Sequence, residues 1–178
     1  PGFREKAARL PLLPMDNPGA VVAAAQAQPG VAAVTQRIAT GGLISNREGA
    51  FPVSITAVVP SQEAAHSIQA EHIVAGRYLE DGEGDAVLIG KGLADALKLG
   101  VGDRVNVVGR STQDQMRQRT MTVVGIYDLG IADLEKSMAF ITVPEAQSLY
   151  GLNDQVTEVS ILLDSMNLED DTLANLRA

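Results

Sequence analysis

The run from Ile73 to Asp103 constrains the fold most: Gly76, Gly90, Gly92, Gly100 and Gly102 stand at its breaks, between short apolar stretches. Glycine suits a chain that must turn sharply, end a helix or approach another backbone closely. Leu88, Ile89, Leu93, Leu97 and Val105 are spaced to share one core. The pattern specifies shape, and it contains no set of residues that looks catalytic.

Alternating elements are predicted on either side of this run. Asp16 or Asn17 caps a helix with Pro18 in its first turn, ending before Pro29-Gly30. Residues 31–45 favour a strand through Val34, Thr35, Ile38 and Thr40. Residues 51–59 alternate Phe51, Val53, Ile55, Ala57 and Val59 against a second face, and Asn46 to Gly49 turns between the two strands. A short helix starts after Pro60 with Ser61 as cap.

Ala86 to Ile89 reads as a brief buried strand, and Gly92 to Leu99 as a helix closed by Gly100. Arg104 to Val108 and Thr120 to Tyr127 suit an antiparallel pair across a polar loop, Gly109 to Arg119. After a polar connector come a strand at 138–143, a helix from Pro144, a strand at 157–163 and an acidic-capped helix from Asn167. The flanks thus read as one α/β unit interrupted by a sheet-rich middle.

Composition removes several function classes. Aromatics are 3% of the chain and Trp is absent, leaving little surface on which bases or sugars stack. The net charge of −8 repels polyphosphates, and the cations are scattered apart from Arg110, Arg117 and Arg119 around one loop. Nucleic acid is therefore not an expected partner. Cysteine is absent, which removes disulfides, thiolate metal sites and a Cys nucleophile. No apolar stretch approaches the roughly 18 to 20 residues that span a bilayer. The chain opens at Pro1 with no signal-peptide pattern, and is read as an excised fragment.

No catalytic, cofactor or metal residues are assigned. Gly90-Lys91-Gly92 lacks the spacing of a phosphate loop. His66 and His72, near Glu63 and Glu71, lack the convergence of a metal site and suit solvated or capping roles. Glu80, Asp81, Glu83 and Asp85 lack the ligand order of a calcium loop and read as a hydrophilic turn. No nucleophile elbow is present. Arg77 and Asp103 are candidates to pair or to satisfy turn backbone.

Ala75-Gly76-Arg77-Tyr78-Leu79, Leu88-Ile89-Gly90-Lys91-Gly92-Leu93-Ala94, Gly102-Asp103-Arg104-Val105, Val124-Gly125-Ile126-Tyr127, and Ala146-Gln147 before Leu149 resemble, in that order, the extracytoplasmic core domain of MacB-type ABC transporter permeases. Within that family the chain is most similar to the LolC and LolE branch. The order of the pieces, over roughly Pro29 to Leu163, carries the resemblance.

The resemblance implies an α+β fold, in which an α/β porter-like subdomain (1–73 and 131–178) carries an inserted, mostly β sabre-like subdomain (74–130). It implies a domain outside the cell membrane, periplasmic where the envelope has two membranes, on a membrane-embedded parent. It further implies a separate cytoplasmic ATPase subunit, a second permease subunit, and a lipoprotein cargo or periplasmic carrier. It implies, too, that the domain transmits motion and is not itself an enzyme. Ala75, Gly76, Gly125 and Gly130 are the candidate hinge, and Leu43, Ile44 and Phe51 at the hairpin are candidate contacts for cargo or partner. An FtsX-like regulator of a cell-wall hydrolase and an unrelated binding domain or enzyme are the alternatives.

Overall fold

A computed structural model describes residues 14–163. Helix α1 (Pro18–Gln26) starts at the expected proline, although the side chain of Asn17 makes no capping bond. Strands β1 (Val31–Asn46) and β2 (Gly49–Val58) form the expected hairpin, paired from Arg37↔Val58 to Asn46↔Gly49. Two short helices follow, α2 (Pro60–Glu63) and α3 (Ile68–Glu71), and Ser61 lies inside α2, where it cannot cap. Strand β3 (Ile73–Gly76) leads to a turn, then to β4 (Ala86–Gly90) and α4 (Lys91–Leu97).

β5 (Arg104–Arg110) and β6 (Met116–Tyr127) extend well into the stretch read as a polar loop. The turn between them is short because Ser111 N donates to Gln115 O at 2.8 Å and Asp114 takes a positive φ of 62°. The connector after β6 holds a further short helix, α5 (Ala132–Glu135), before β7 (Met138–Thr142), α6 (Val143–Tyr150) and β8 (Glu158–Leu163). The helix expected from Asn167 lies outside the described residues.

The class is α+β, and the strand pairing closes on itself. β1 pairs β2, β2 pairs β7, β7 pairs β4, β4 pairs β6, β6 pairs β5, and β5 returns to β1. β2–β7 and β4–β6 are parallel, and the other pairs of this ring are antiparallel. β8 continues the edge of β1, and β3 pairs only with β6. Closing a sheet in this way removes free edges from the strands of the ring.

Alternation along the strands builds two cores. Val87 and Ile89 of β4 join Ile38, Ile44, Val53, Ile55, Val105, Val107, Met121, Ala139 and Ile141 inside the ring. Leu93 and Leu97 of α4 and Ala146, Leu149 and Tyr150 of α6 complete that core. Leu88 and Ala86, on the opposite face of β4, pack outside with Tyr127, Phe140, Val58 and Leu79. Both faces of β4 are therefore buried, which explains its unbroken apolar run. Burying one such Leu or Ile side chain contributes about 1.5–3 kcal/mol.

The middle segment is consequently joined to its flanks by hydrogen-bonded ladders. Gly42 to Ser45 of β1 pair with Asn106 to Gly109 of β5, and Leu88 and Ile89 of β4 pair with Phe140 and Ala139 of β7.

Candidate functional site

Gly76 and Gly125 are register partners across β3 and β6. Gly76 has φ +71°, and a Cβ there would lie 2.2 Å from Val124 O. A Cβ on Gly125 would lie 2.0 Å from Arg77 O and 2.9 Å from Leu88 Cδ1. These two glycines let the chain leaving β3 cross directly over β6, where Arg77 N donates to Val124 O at 3.0 Å. Ala75 sits beside a register irregularity between Ile73 and Ala75. The β1–β5 and β4–β7 ladders also join residues 74–130 to the rest of the described fold, so these positions are not its sole connection.

Arg77 then closes the acidic turn. Its guanidinium forms a two-point pair with Glu83, Nη1 to Oε2 at 3.1 Å, and lies 3.7 Å from Glu80. This hydrogen bond holds the Glu83 carboxyl below the usual carboxylate range. Asp103 is not its partner: Asp103 accepts from Gly100 N at 2.8 Å, within its own turn. Asp81 accepts from Ser61 N at 2.9 Å, tying the same acidic turn to α2.

Gly130, the fourth candidate hinge residue, lies in the connector with φ +76° and open space around it. Its N–H donates to Asp128 Oδ1 at 2.8 Å. The connector is held at its other end by Glu135, which is 2% exposed. Glu135 Oε1 accepts from Leu129 N at 2.8 Å and Ile131 N at 3.1 Å, and Oε2 accepts from Gly92 N at 3.0 Å. The sequence reading missed this residue, since Asp128, Asp133 and Glu135 look alike in a polar stretch.

The hairpin residues separate. Ile44 is fully buried in the inner core, which corrects its reading as an exposed contact: it alternates inward with Ile38 on β1. Phe51, its register partner, is half-buried and packs against the same core. Leu43 is half-buried and faces the other way, opposite Pro52 on β2 and Val108 on β5.

Two further carboxylates are buried against arginines. Glu63 of α2 holds Arg37 of β1 in a two-point pair, with Nε to Oε2 at 3.2 Å. Glu145 of α6 lies 2.7 Å from Arg119 of β6 and accepts from Asp85 N at 3.0 Å. His66 and His72 are exposed, and His72 Nδ1 donates to Ile68 O at 2.8 Å. A surface cavity of about 470 Å³ is lined by Glu48, Lys98, Asp103, Arg104 and Thr120, but Lys98 and Glu48 pair with each other at 3.0 Å. Among the described residues no group of three or more His, Asp or Glu converges as a metal site does. No helix among them is long and apolar enough to cross a membrane.

The family model for the MacB-like periplasmic core domain matches residues 5–178. The chain belongs to the MacB-like periplasmic core domain family. Among its relatives, the lipoprotein-releasing system transmembrane protein LolC of Xylella fastidiosa strain Temecula1 is 29% identical over 170 residues, covering 92% of this chain and 40% of the relative. The extracellular domain of the noncanonic ABC-type transporter YknZ from Gram-positive bacteria superposes with a TM-score of 0.65 at 17% identity, over 90% of this chain and 85% of that one. The periplasmic region of MacB from Actinobacillus actinomycetemcomitans also gives 0.65, at 12% identity, over 99% and 77%.

The MacB-like core domain described here therefore shares its fold with both of these domains. It spans 34% to 40% of the length of the LolC relatives it matches.

Proposed function

We propose that this MacB-like core domain is the extracytoplasmic part of an ABC transporter permease subunit, and that it transmits ATP-driven motion to release a lipoprotein or related amphiphilic cargo. The observation that carries this reading is the LolC similarity over 92% of the chain. ATP is hydrolysed on a separate cytoplasmic subunit, and a second permease subunit stands beside the parent in the inner membrane. The closed ring supports a transmitting role, because a body in which each ring strand is hydrogen-bonded to the next on both sides passes displacement from one strand to its neighbours.

In this reading the porter-like segments (1–73 and 131–178) and the sabre-like segment (74–130) move together through the ladders that join them. Ala75, Gly76, Gly125 and Gly130 are the points of local bending at the margins of the ring. Leu43 and Phe51, the partly exposed apolar side chains of the hairpin, are the contact candidates for cargo or a periplasmic carrier.

The test is reconstitution of the full-length parent with its ATPase subunit in proteoliposomes carrying a triacylated reporter lipoprotein. ATP-dependent release of the reporter to a soluble acceptor is expected. ATP hydrolysis without release, accompanied by activation of a cell-wall hydrolase, would replace this reading with the FtsX-like one.

A further inference from the structure

The Gly90-Lys91-Gly92 motif has a purpose that its phosphate-loop likeness conceals. A Cβ on Gly90 would lie 2.6 Å from Glu135 Cβ and 2.8 Å from Glu135 O, and one on Gly92 would lie 2.3 Å from Ala132 O. The two glycines form a bare cradle into which α5 sets its backbone. Once there, Glu135 reaches the amide of Gly92 in the first turn of α4, a donor that α4 itself leaves without a partner.

Besides Glu135, the connector is held by Leu129, which packs against the outer core, and by Asp128, whose N–H donates to His72 O at 3.0 Å and whose Oδ1 accepts from Gly130 N at 2.8 Å. α5 is four residues long, far below the length at which a helix is stable alone. Ile131, just before α5, and Leu134 within it are 56% and 42% exposed, so neither is anchored in a core. The nearby lysines are engaged elsewhere, Lys91 with Asp95 at 2.7 Å and Lys136 with Asp133 at 3.8 Å. The Glu135 carboxylate is thus held by backbone N–H groups, two from the connector and one from α4. Removing it strands three donors at once.

We propose that Glu135 is a latch: it holds the connector 129–135 shut on α4, and the connector opens as a local unit, with the ring intact, when the carboxylate is lost. Segments with little apolar burial and few independent hydrogen bonds open below the global unfolding free energy. Because the connector joins β6 to β7, the latch sets how rigidly the middle segment drives the last strand and helix of the domain. That second step rests on the force-transmitting reading above; the latch itself does not.

The experiment compares the full-length parent with Glu135→Gln, which keeps the volume but loses one acceptor, and with Asp133→Asn as an exposed control on the same helix. Hydrogen exchange followed by mass spectrometry reads peptides covering 128–136 and the start of α4. Glu135→Gln is expected to speed exchange there roughly tenfold or more, with β4, β6 and β7 still protected and Asp133→Asn unchanged. In proteoliposomes, reporter lipoprotein released per ATP hydrolysed falls several-fold in Glu135→Gln alone, with hydrolysis retained.

Unchanged exchange in the connector, or faster exchange through β4, β6 and β7 together, would overturn the latch. Local opening with wild-type release per ATP would overturn its part in transmission. Failure of the wild-type parent to release the reporter would strike the functional reading, while the exchange measurements still decide the latch.

Discussion

Tyr150 of α6 lies against the backbone of Gly109 in β5: a Cβ at that glycine would sit 2.4 Å from Tyr150 Cε1 and 2.8 Å from its hydroxyl oxygen. The same hydroxyl donates to Gly41 O in β1 at 3.2 Å. Gly42 and Gly109 are register partners, so one aromatic ring covers the seam where β5 closes on β1. Glycines in adjacent strands with an aromatic laid over them make a stable pair that neither residue type makes alone.

Gly109→Ala is therefore expected to destabilise the domain by about 1–3 kcal/mol through overpacking. Tyr150→Phe, which removes only the hydroxyl, is expected to cost about 0.5–1.5 kcal/mol. Urea unfolding of both variants checks the order, with the glycine substitution the larger.

A second expectation concerns the buried carboxylate of Glu145. Arg119→Met leaves it without its cation while keeping most of the aliphatic packing. Because Arg119 is itself 37% exposed, the cost is set at about 1–3 kcal/mol, below that of a fully buried pair. Adding Glu145→Gln to Arg119→Met is expected to restore part of the loss, which a double-mutant cycle measures.

Stability responds to pH at both ends. Burial pushes the Tyr150 hydroxyl up to about 12, against an ordinary value of 10.0, and raises Tyr127 as well. A raised folded value means that the stabilisation is full below the unfolded value and is lost as pH rises toward 12. On the acid side Glu83, lowered mainly by its hydrogen bond to Arg77, stabilises above the ordinary carboxylate value and ceases to as pH falls through its lowered folded value. Thermal unfolding against pH is expected to show both limbs. Tyr150→Phe weakens the alkaline one and Arg77→Gln the acid one.

The hairpin separates structure from contact. Ile44→Ala is expected to cost about 2–5 kcal/mol, as a cavity in the inner core. Leu43→Asp, on the outer face, is expected to leave the fold intact and to lower capture of the reporter lipoprotein or its carrier in pull-down from the reconstituted parent.

Much of the fold is legible along the chain. The β1–β2 hairpin follows from alternation, β4 from its short apolar run between turn signals, and α4 from Leu93, Ala94 and Leu97 before Gly100. The ring is not legible, because the apolar pairs Leu43↔Val108 and Ile44↔Val107 where β5 meets β1 do not single out that pairing among alternating strands, and Gly42 and Gly109 beside them carry no hydrophobic signal. Glycine inside a strand does mark a close approach, and that mark at Gly109 is readable once Tyr150 is known to need a surface. Of the candidate site, Gly76 and Gly125 could be singled out but their pairing with each other could not. Glu135 was hidden because burial of one acid among several depends on where α4 lies, and no local pattern states that. Ile44 was misjudged because a hairpin end looks exposed until a third strand, β5, covers it.

Spin-label distances in the full-length parent test most directly whether the ring moves as one body. Labels at Ala50→Cys on β2 and Arg110→Cys on β5, both exposed positions, report the interior geometry of the domain. A label pair between Ala50→Cys and the proposed second permease subunit reports movement of the whole. On adding ATP, the distance within the domain should stay fixed while the distance between subunits changes; a changed distance within the domain, with the subunits unmoved, would contradict rigid transmission.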